Sequence, residues 1–234
     1  MDLAERLAEV DAGIADAARA AGRDPGAITR IVVTKFHPVS VVEELYRLGV
    51  RDIGENRQQE FSEKAAASVA LEGLRWHFIG QAQSNKVRAI RAAASVVHSV
   101  DRTKIADALD AAADALDAAA DAEAPALDVL LQINLTDDPG RGGVAPADLE
   151  RLAEHVGGCR TLRLRGVMAV APLGEEPAPA FTRLAEYAER VRAMAPDATW
   201  ISAGMTADYP EAIAAGATHL RIGSAITGPR PEHG

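Results

Sequence analysis

Short apolar runs alternate with longer stretches of helical periodicity along this chain, and the alternation repeats eight times. Before the first run, Leu3, Leu7, Val10 and Ile14 fall at helical spacing and predict an amphipathic opening helix. The runs are Ile28 to Phe36, Arg51 to Asn56, Trp76 to Gly80, Ser95 to Asp101, Leu127 to Leu135, Leu162 to Ala171, Thr199 to Met205 and His219 to Ile226. Helices are predicted between them, at Val39 to Leu48, Arg57 to Leu71, Ser84 to Ala93, Arg102 to Ala122, Pro146 to Val156, Ala178 to Met194 and Pro210 to Ala214. Strands apolar at nearly every position are buried on both faces, as in a parallel sheet sheathed by helices. Eight such units predict an α/β chain folded as one closed (β/α)₈ TIM barrel over residues 1–234, with an open doubly wound sheet as the alternative. No Pro/Ser-rich linker or shift in composition divides it.

Charge and cysteine content narrow the partners. The net charge of −9 opposes a nucleic-acid backbone or an anionic membrane surface as main partner. Cys159 is the only cysteine, so no disulfide forms within the chain, which suits a reducing cytoplasm. The amino terminus is charged from its second residue and lacks a signal-like apolar core. The six histidines show no ligand spacing of their own, and no metal site is expected. In the fifth helical stretch Asp107, Asp110, Asp114, Asp117 and Asp121 recur at steps of three and four, which reads as the solvated face of an outer helix.

If the barrel is right, reactive groups belong at the carboxyl ends of the strands and phosphate belongs on the loops after the seventh and eighth. The seventh run ends Ser202-Ala203-Gly204-Met205-Thr206, and the eighth passes through Arg221-Ile222-Gly223-Ser224. Both supply small residues and hydroxyls where backbone N–H groups can approach an anion. Within the first run the apolar segment Ile31-Val32-Val33-Thr34-Lys35 closes on Lys35, one of four lysines in an arginine-rich chain. Lysine does what arginine cannot: it loses a proton and attacks a carbonyl. That needs a share of unprotonated amine, which burial or a nearby cation such as Arg221 supplies. The second and third runs bring Glu55, Asn56, His77 and Gly80 to the same rim, and Ser84 is expected to cap a helix that opens near Lys86.

The segments Val33-Thr34-Lys35, Gly54-Glu55-Asn56, His77-Phe78-Ile79-Gly80, Gln83-Ser84-Asn85-Lys86, Gly166-Val167-Met168-Ala169, Ser202 to Asp208 and Arg221 to Ile226 together resemble the pyridoxal phosphate homeostasis proteins, in the family's order and over nearly the whole chain. The resemblance implies a barrel of the alanine-racemase type, without the C-terminal β-domain that racemases on this barrel add. It implies a chain that binds pyridoxal 5′-phosphate (PLP) and manages its supply. Lys35 is then the Schiff-base lysine, Ser202, Gly204, Gly223 and Ser224 lie in the phosphate-binding segments, and Arg221 stands at the pyridine nitrogen. Asn56 and Met205 are implied cofactor contacts, and His77 a group behind them. Three positions depart from the family pattern. Arg141 stands where many members carry lysine, His37 replaces a second lysine beside Lys35, and Gln81-Ala82 replaces Pro-Leu. A relay of lysines that passes the cofactor to acceptor enzymes is weakened accordingly.

Two classes of function follow. The first is a cytoplasmic, monomeric PLP carrier or regulator without robust turnover, with PLP-dependent enzymes as acceptors. The second is an enzyme: a minimal PLP-dependent racemase, or a cofactor-free Schiff-base aldolase acting through Lys35.

Overall fold

The computed structural model describes residues 1–120, 125–138 and 140–230. Eight parallel strands close into a barrel in sequence order. The chain runs α1 (Leu3–Ala20), β1 (Thr29–Val33), α2 (Val39–Arg47), β2 (Asp52–Glu55), α3 (Gln58–Ala67), β3 (Arg75–Phe78), α4 (Val87–Ala93), β4 (Val96–Val100) and α5 (Thr103–Ala120). It continues with β5 (Leu127–Gln132), α6 (Leu149–Gly157), β6 (Leu162–Met168), α7 (Pro177–Met194), β7 (Trp200–Ser202), α8 (Tyr209–Ala214), β8 (His219–Ile222) and α9 (Ser224–Thr227). Pairing of β1 with β8 in register, Thr29 opposite His219 and Val32 opposite Ile222, closes the cylinder and rules out the open sheet. Residues 121 and 122, which the pattern assigned to the fifth helix, lie outside the described residues.

Helix α1 starts where the sequence allows a reciprocal cap. Asp2 accepts from the Glu5 N–H and Glu5 accepts from the Asp2 N–H, both at 2.8 Å, so two N–H groups that the helix itself leaves unpaired are satisfied. Its apolar stripe of Leu3, Leu7, Val10, Ile14 and Ala18 packs beside α8 and α9. The layer between strands and outer helices is apolar, with Phe61 of α3 fully buried and edge-on to Trp76 and Phe78. This arrangement adds aromatic contact to area burial.

Several boundaries move. β1 ends at Val33, so Lys35 stands beyond the strand, on a turn. Helix α4 begins at Val87 after Lys86, with no side-chain cap, and Ser84 lies in the preceding turn instead. The eighth strand stops at Ile222, and Ser224 opens the short helix α9 rather than extending the strand.

The aspartate stripe is also not a plain solvated face. Asp107 meets His155 at 2.6 Å, Asp110 accepts from the Thr161 N–H and hydroxyl, and Asp114 pairs with Arg160. These carboxylates dock α5 onto the carboxyl end of α6 and the entry to β6. Asp121 and the side chain of Asp117 are outside the described residues.

Candidate functional site

The turn that carries Lys35 is built on a buried ion pair. Lys64 of α3 donates to the Thr34 carbonyl at 2.8 Å and to Glu55 Oε1 at 2.6 Å, and the Thr34 hydroxyl donates to the same Glu55 oxygen at 2.7 Å. Glu60, one helical turn before Lys64, accepts the Phe36 N–H at 2.8 Å. The residues on either side of Lys35 are therefore pinned from below while Lys35 itself is exposed. Phe36 adopts φ 69°, a left-handed conformation that costs a non-glycine residue about 1–2 kcal/mol. Its ring lies 4.7 Å from the Arg57 guanidinium and 4.1 Å from that of Arg230, contacts that help hold the turn.

Burial pushes the Glu55 carboxyl above the usual carboxylate range, against the pull of Lys64 and Thr34. Removing the cation would leave that group buried alone. Lys64→Ala is expected to cost about 3–5 kcal/mol, read as a lowered urea midpoint, and Lys64→Met combined with Glu55→Gln should recover much of it. A single-variant loss below about 1 kcal/mol would mean that the pair does not hold the turn.

Above this base lies a cavity of about 300 Å³ lined by Val33, Lys35, Asn56, Ile79, Met205, Thr206, Ala207, Arg221, Gly223 and Ser224. It sits where β1, β2, β3, β7 and β8 end, the rim on which barrels of this kind place their chemistry. Larger hollows of about 670 and 610 Å³ lie beside α3, the first against α4 and the second against the turn at Phe36 to Val39 and Arg230. Six of the nine residues expected at the site, Lys35, Asn56, Met205, Arg221, Gly223 and Ser224, line the rim cavity. Gly204 stands next to that wall with φ 90°, and a Cβ there would meet Ala212 Cβ at 2.7 Å, so glycine lets β7 turn tightly against α8. Gly80 serves the neighbouring strand end: a Cβ at that position would collide with the Asn56 carbonyl.

Ser202 and His77 stand behind the wall. The Ser202 hydroxyl is fully buried, 2.9 Å from His98 Nδ1, and accepts from Arg221 Nη1 at 2.7 Å. His77 contacts His98 Nε2 at 2.9 Å and Asp52 at 2.8 Å. Because β4 and β7 are not neighbours in the sheet, the His98–Ser202 contact crosses the barrel interior.

Arg221 also donates to the Ala169 carbonyl at 2.9 Å, and burial draws its guanidinium down to about 10. Burial likewise lowers His77, His98 and His219, the last to about 3, which favours the neutral imidazole at each. Burial alone would raise Asp52, but hydrogen bonds from His77 and Arg75 outweigh it and hold the carboxyl below its ordinary range.

The donor set suits PLP. One lysine among the described residues lines the cavity and offers an amine to an aldehyde. Gly223 leaves its wall open, since an added Cβ would approach Val33 no closer than 3.6 Å, and the Ser224 hydroxyl lies beside it. Arg221 brings a buried cation, and Asn56 Oδ1 is buried without a partner among the described residues. Such an acceptor is costly unless a ligand donor completes it.

Sequence reading quoted the segments that contain Val33, Ile79, Thr206 and Ala207 without naming these four as site residues, although each lies within two positions of one that was named. It also missed His98, whose only signal was one polar ring inside Val96-Val97-His98-Ser99-Val100. Outside the cavity, Asp107, His155 and Cys159 come within metal-ligand reach of one another on α5 and at the end of α6, a proximity that spacing along the chain does not reveal. His155 is already bonded to Asp107, and burial together with Asp110 and Asp107 pushes the Cys159 thiol up to about 11. Among the described residues no helix is long and apolar enough to cross a membrane.

Comparison with known proteins points the same way. The family described as "Alanine racemase, N-terminal domain" matches residues 26–231. A pyridoxal phosphate homeostasis protein of Mycobacterium leprae is 40% identical over 97% of this chain and 93% of its own length. One from Pseudomonas aeruginosa is 42% identical over 97% and 96%. PipY of Synechococcus elongatus, solved with PLP bound, is 34% identical with a TM-score of 0.83 over 97% of this chain and all of its own.

Proposed function

The chain belongs to the pyridoxal phosphate homeostasis protein family, and on that premise we propose that it holds PLP as a Schiff base on Lys35 and serves the intracellular supply of the cofactor as a carrier or regulator, without robust turnover. The observation that carries this reading is the shared cavity: the exposed Lys35 amine and the buried Arg221 cation line one hollow at the strand ends. The PLP-bound relative supports the choice of ligand.

Lys35 supplies the amine for the imine linkage, formed with loss of water. Gly223 and Ser224 take the phosphate, with the turn after β7 beside them, and Ser202 supports this wall from behind. Asn56 and Met205 flank the ligand, and Arg221 faces the pyridine nitrogen. When bound, PLP supplies an electron sink for carbanion chemistry, and that sink is strongest when its ring nitrogen is protonated. A buried arginine at that nitrogen opposes protonation, so Arg221 favours holding over turnover. Acceptor enzymes are then PLP-dependent apoproteins, served by a monomer.

The test is exchange of the α-proton in a panel of amino acids by the PLP-loaded protein. Rates no greater than those of free PLP are expected. Rates well above them would make the chain a racemase-like enzyme and end the carrier reading.

A further inference from the structure

Between Arg221 and the floor of the barrel runs an unbroken series of hydrogen bonds, and with neutral imidazoles the carboxylate at its end sets the direction of every one. Asp52 is a carboxylate and only accepts, so His77 Nε2 carries the hydrogen that meets it at 2.8 Å. A neutral His77 must then accept at Nδ1, which makes His98 Nε2 the donor across 2.9 Å. His98 Nδ1 is left as an acceptor, so the Ser202 hydroxyl donates to it at 2.9 Å. The Ser202 oxygen in turn accepts from Arg221 Nη1 at 2.7 Å. Five strands contribute one member each: β2, β3, β4, β7 and β8.

We propose that Asp52, His77, His98 and Ser202 form a one-directional positioning relay that orients the Arg221 guanidinium toward the cavity and links it to a carboxylate at the floor of the barrel. A guanidinium this deeply buried is costly without compensation. No carboxylate is hydrogen-bonded to Arg221 among the described residues: it donates to Ser202 and to the Ala169 carbonyl, and Asp208 is the carboxylate whose charge acts on it through space. The relay reaches Asp52 through polar groups that polarise one another. Burial favours the neutral imidazoles: at His77 it outweighs the pull of Asp52 and Asp128, with Arg75 acting in the same direction as burial, and at His98 burial and the Arg221 cation act together. Ser202 has its hydrogen committed to His98 and a lone pair to Arg221, so the hydroxyl acts through Arg221 rather than on a ligand. The effect of Arg221 on bound PLP rests on the function proposed above; the relay itself does not.

Two readouts separate them. In the cofactor-free protein, long-range ¹H–¹⁵N spectra are expected to show both His77 and His98 as neutral Nε2–H tautomers at pH 7. The Arg221 Nη hydrogens should be resolved and slowly rotating. Ser202→Ala should merge the Arg221 Nη signals through fast rotation, and Ser202→Thr, which keeps the hydroxyl, should restore them. An Nδ1–H tautomer or an imidazolium at either histidine, or Arg221 signals unmoved by Ser202→Ala, would overturn the relay. In the PLP-loaded protein, Ser202→Ala should shift the visible absorption maximum and Ser202→Thr should bring it back. An unshifted maximum with PLP still on Lys35 would overturn the orienting role. If wild-type protein takes up no PLP while Arg221 remains slowly rotating, the relay stands and the proposed function fails.

Discussion

Lys35→Ala is expected to lose the visible absorption band that PLP gives on binding, with almost no loss of stability. The two halves of this expectation have separate physical causes. Only a deprotonable amine forms an imine, and Lys35 is the one lysine on the cavity wall among the described residues. Its side chain is exposed, whereas the turn beneath it is held by the backbone and side chains of Thr34, Phe36, Lys64 and Glu60. Substitution at such a position changes stability by about 0.5 kcal/mol or less. Lys35→Arg sharpens the point, because it keeps the positive charge and removes only the ability to form the imine. Absorbance after gel filtration, together with urea unfolding of each variant, measures both halves. A band retained in either variant would move the linkage to another lysine, and a large loss of stability would mean that Lys35 helps to hold its own turn.

Acid should unfold the protein well above the ordinary carboxylate range. His77, His98 and His219 are buried and neutral in the fold, with His219 drawn down to about 3, whereas histidines in the unfolded chain titrate near about 6.5. Below that pH the unfolded state binds protons that the folded state refuses, so stability is complete above about pH 6.5 and falls as pH falls. With all three sites contributing, the slope reaches about 4 kcal/mol per pH unit. Asp52, held below its usual range, adds a further loss near the bottom of the scale. Glu55 and Asp101, raised by burial, take up protons first in the fold and offset part of the decline. Urea midpoints at pH 7.5, 6 and 5 measure the slope. A flat profile across that interval would show that the histidines are protonated in the fold or open to water.

The barrel was legible because its strands are short, apolar on both faces and evenly separated by helical periodicity, a pattern that few arrangements satisfy. What the pattern could not fix were the ends. Lys35 reads as the last residue of a strand, yet Phe36 turns left-handed beside it and Lys64 and Glu60 draw the chain away from the sheet. Nothing in the sequence marks Lys64, since its partner Glu55 lies on a different element. The rim residues were legible for the opposite reason: barrel topology says in advance which loops converge, so the strand ends that carry Lys35, Asn56, Met205, Arg221, Gly223 and Ser224 could be brought to one rim from sequence order, and the family resemblance singled out Asn56 and Met205 as contacts. His98 could not. Its role depends on contacts with β3 and β7, and a lone histidine within a buried strand carries no sign of what it faces.

The central claim is that Lys35 is the anchor for PLP, and the most direct measurement is borohydride reduction of the PLP-loaded protein followed by mass mapping of its peptides. Reduction makes the linkage permanent, and with only four lysines in the chain, Lys35, Lys64, Lys86 and Lys104, every candidate is resolved. One pyridoxyl group, on Lys35, is expected. Modification of Lys86 or Lys104 in its place, or no retained pyridoxyl group at all, would contradict it.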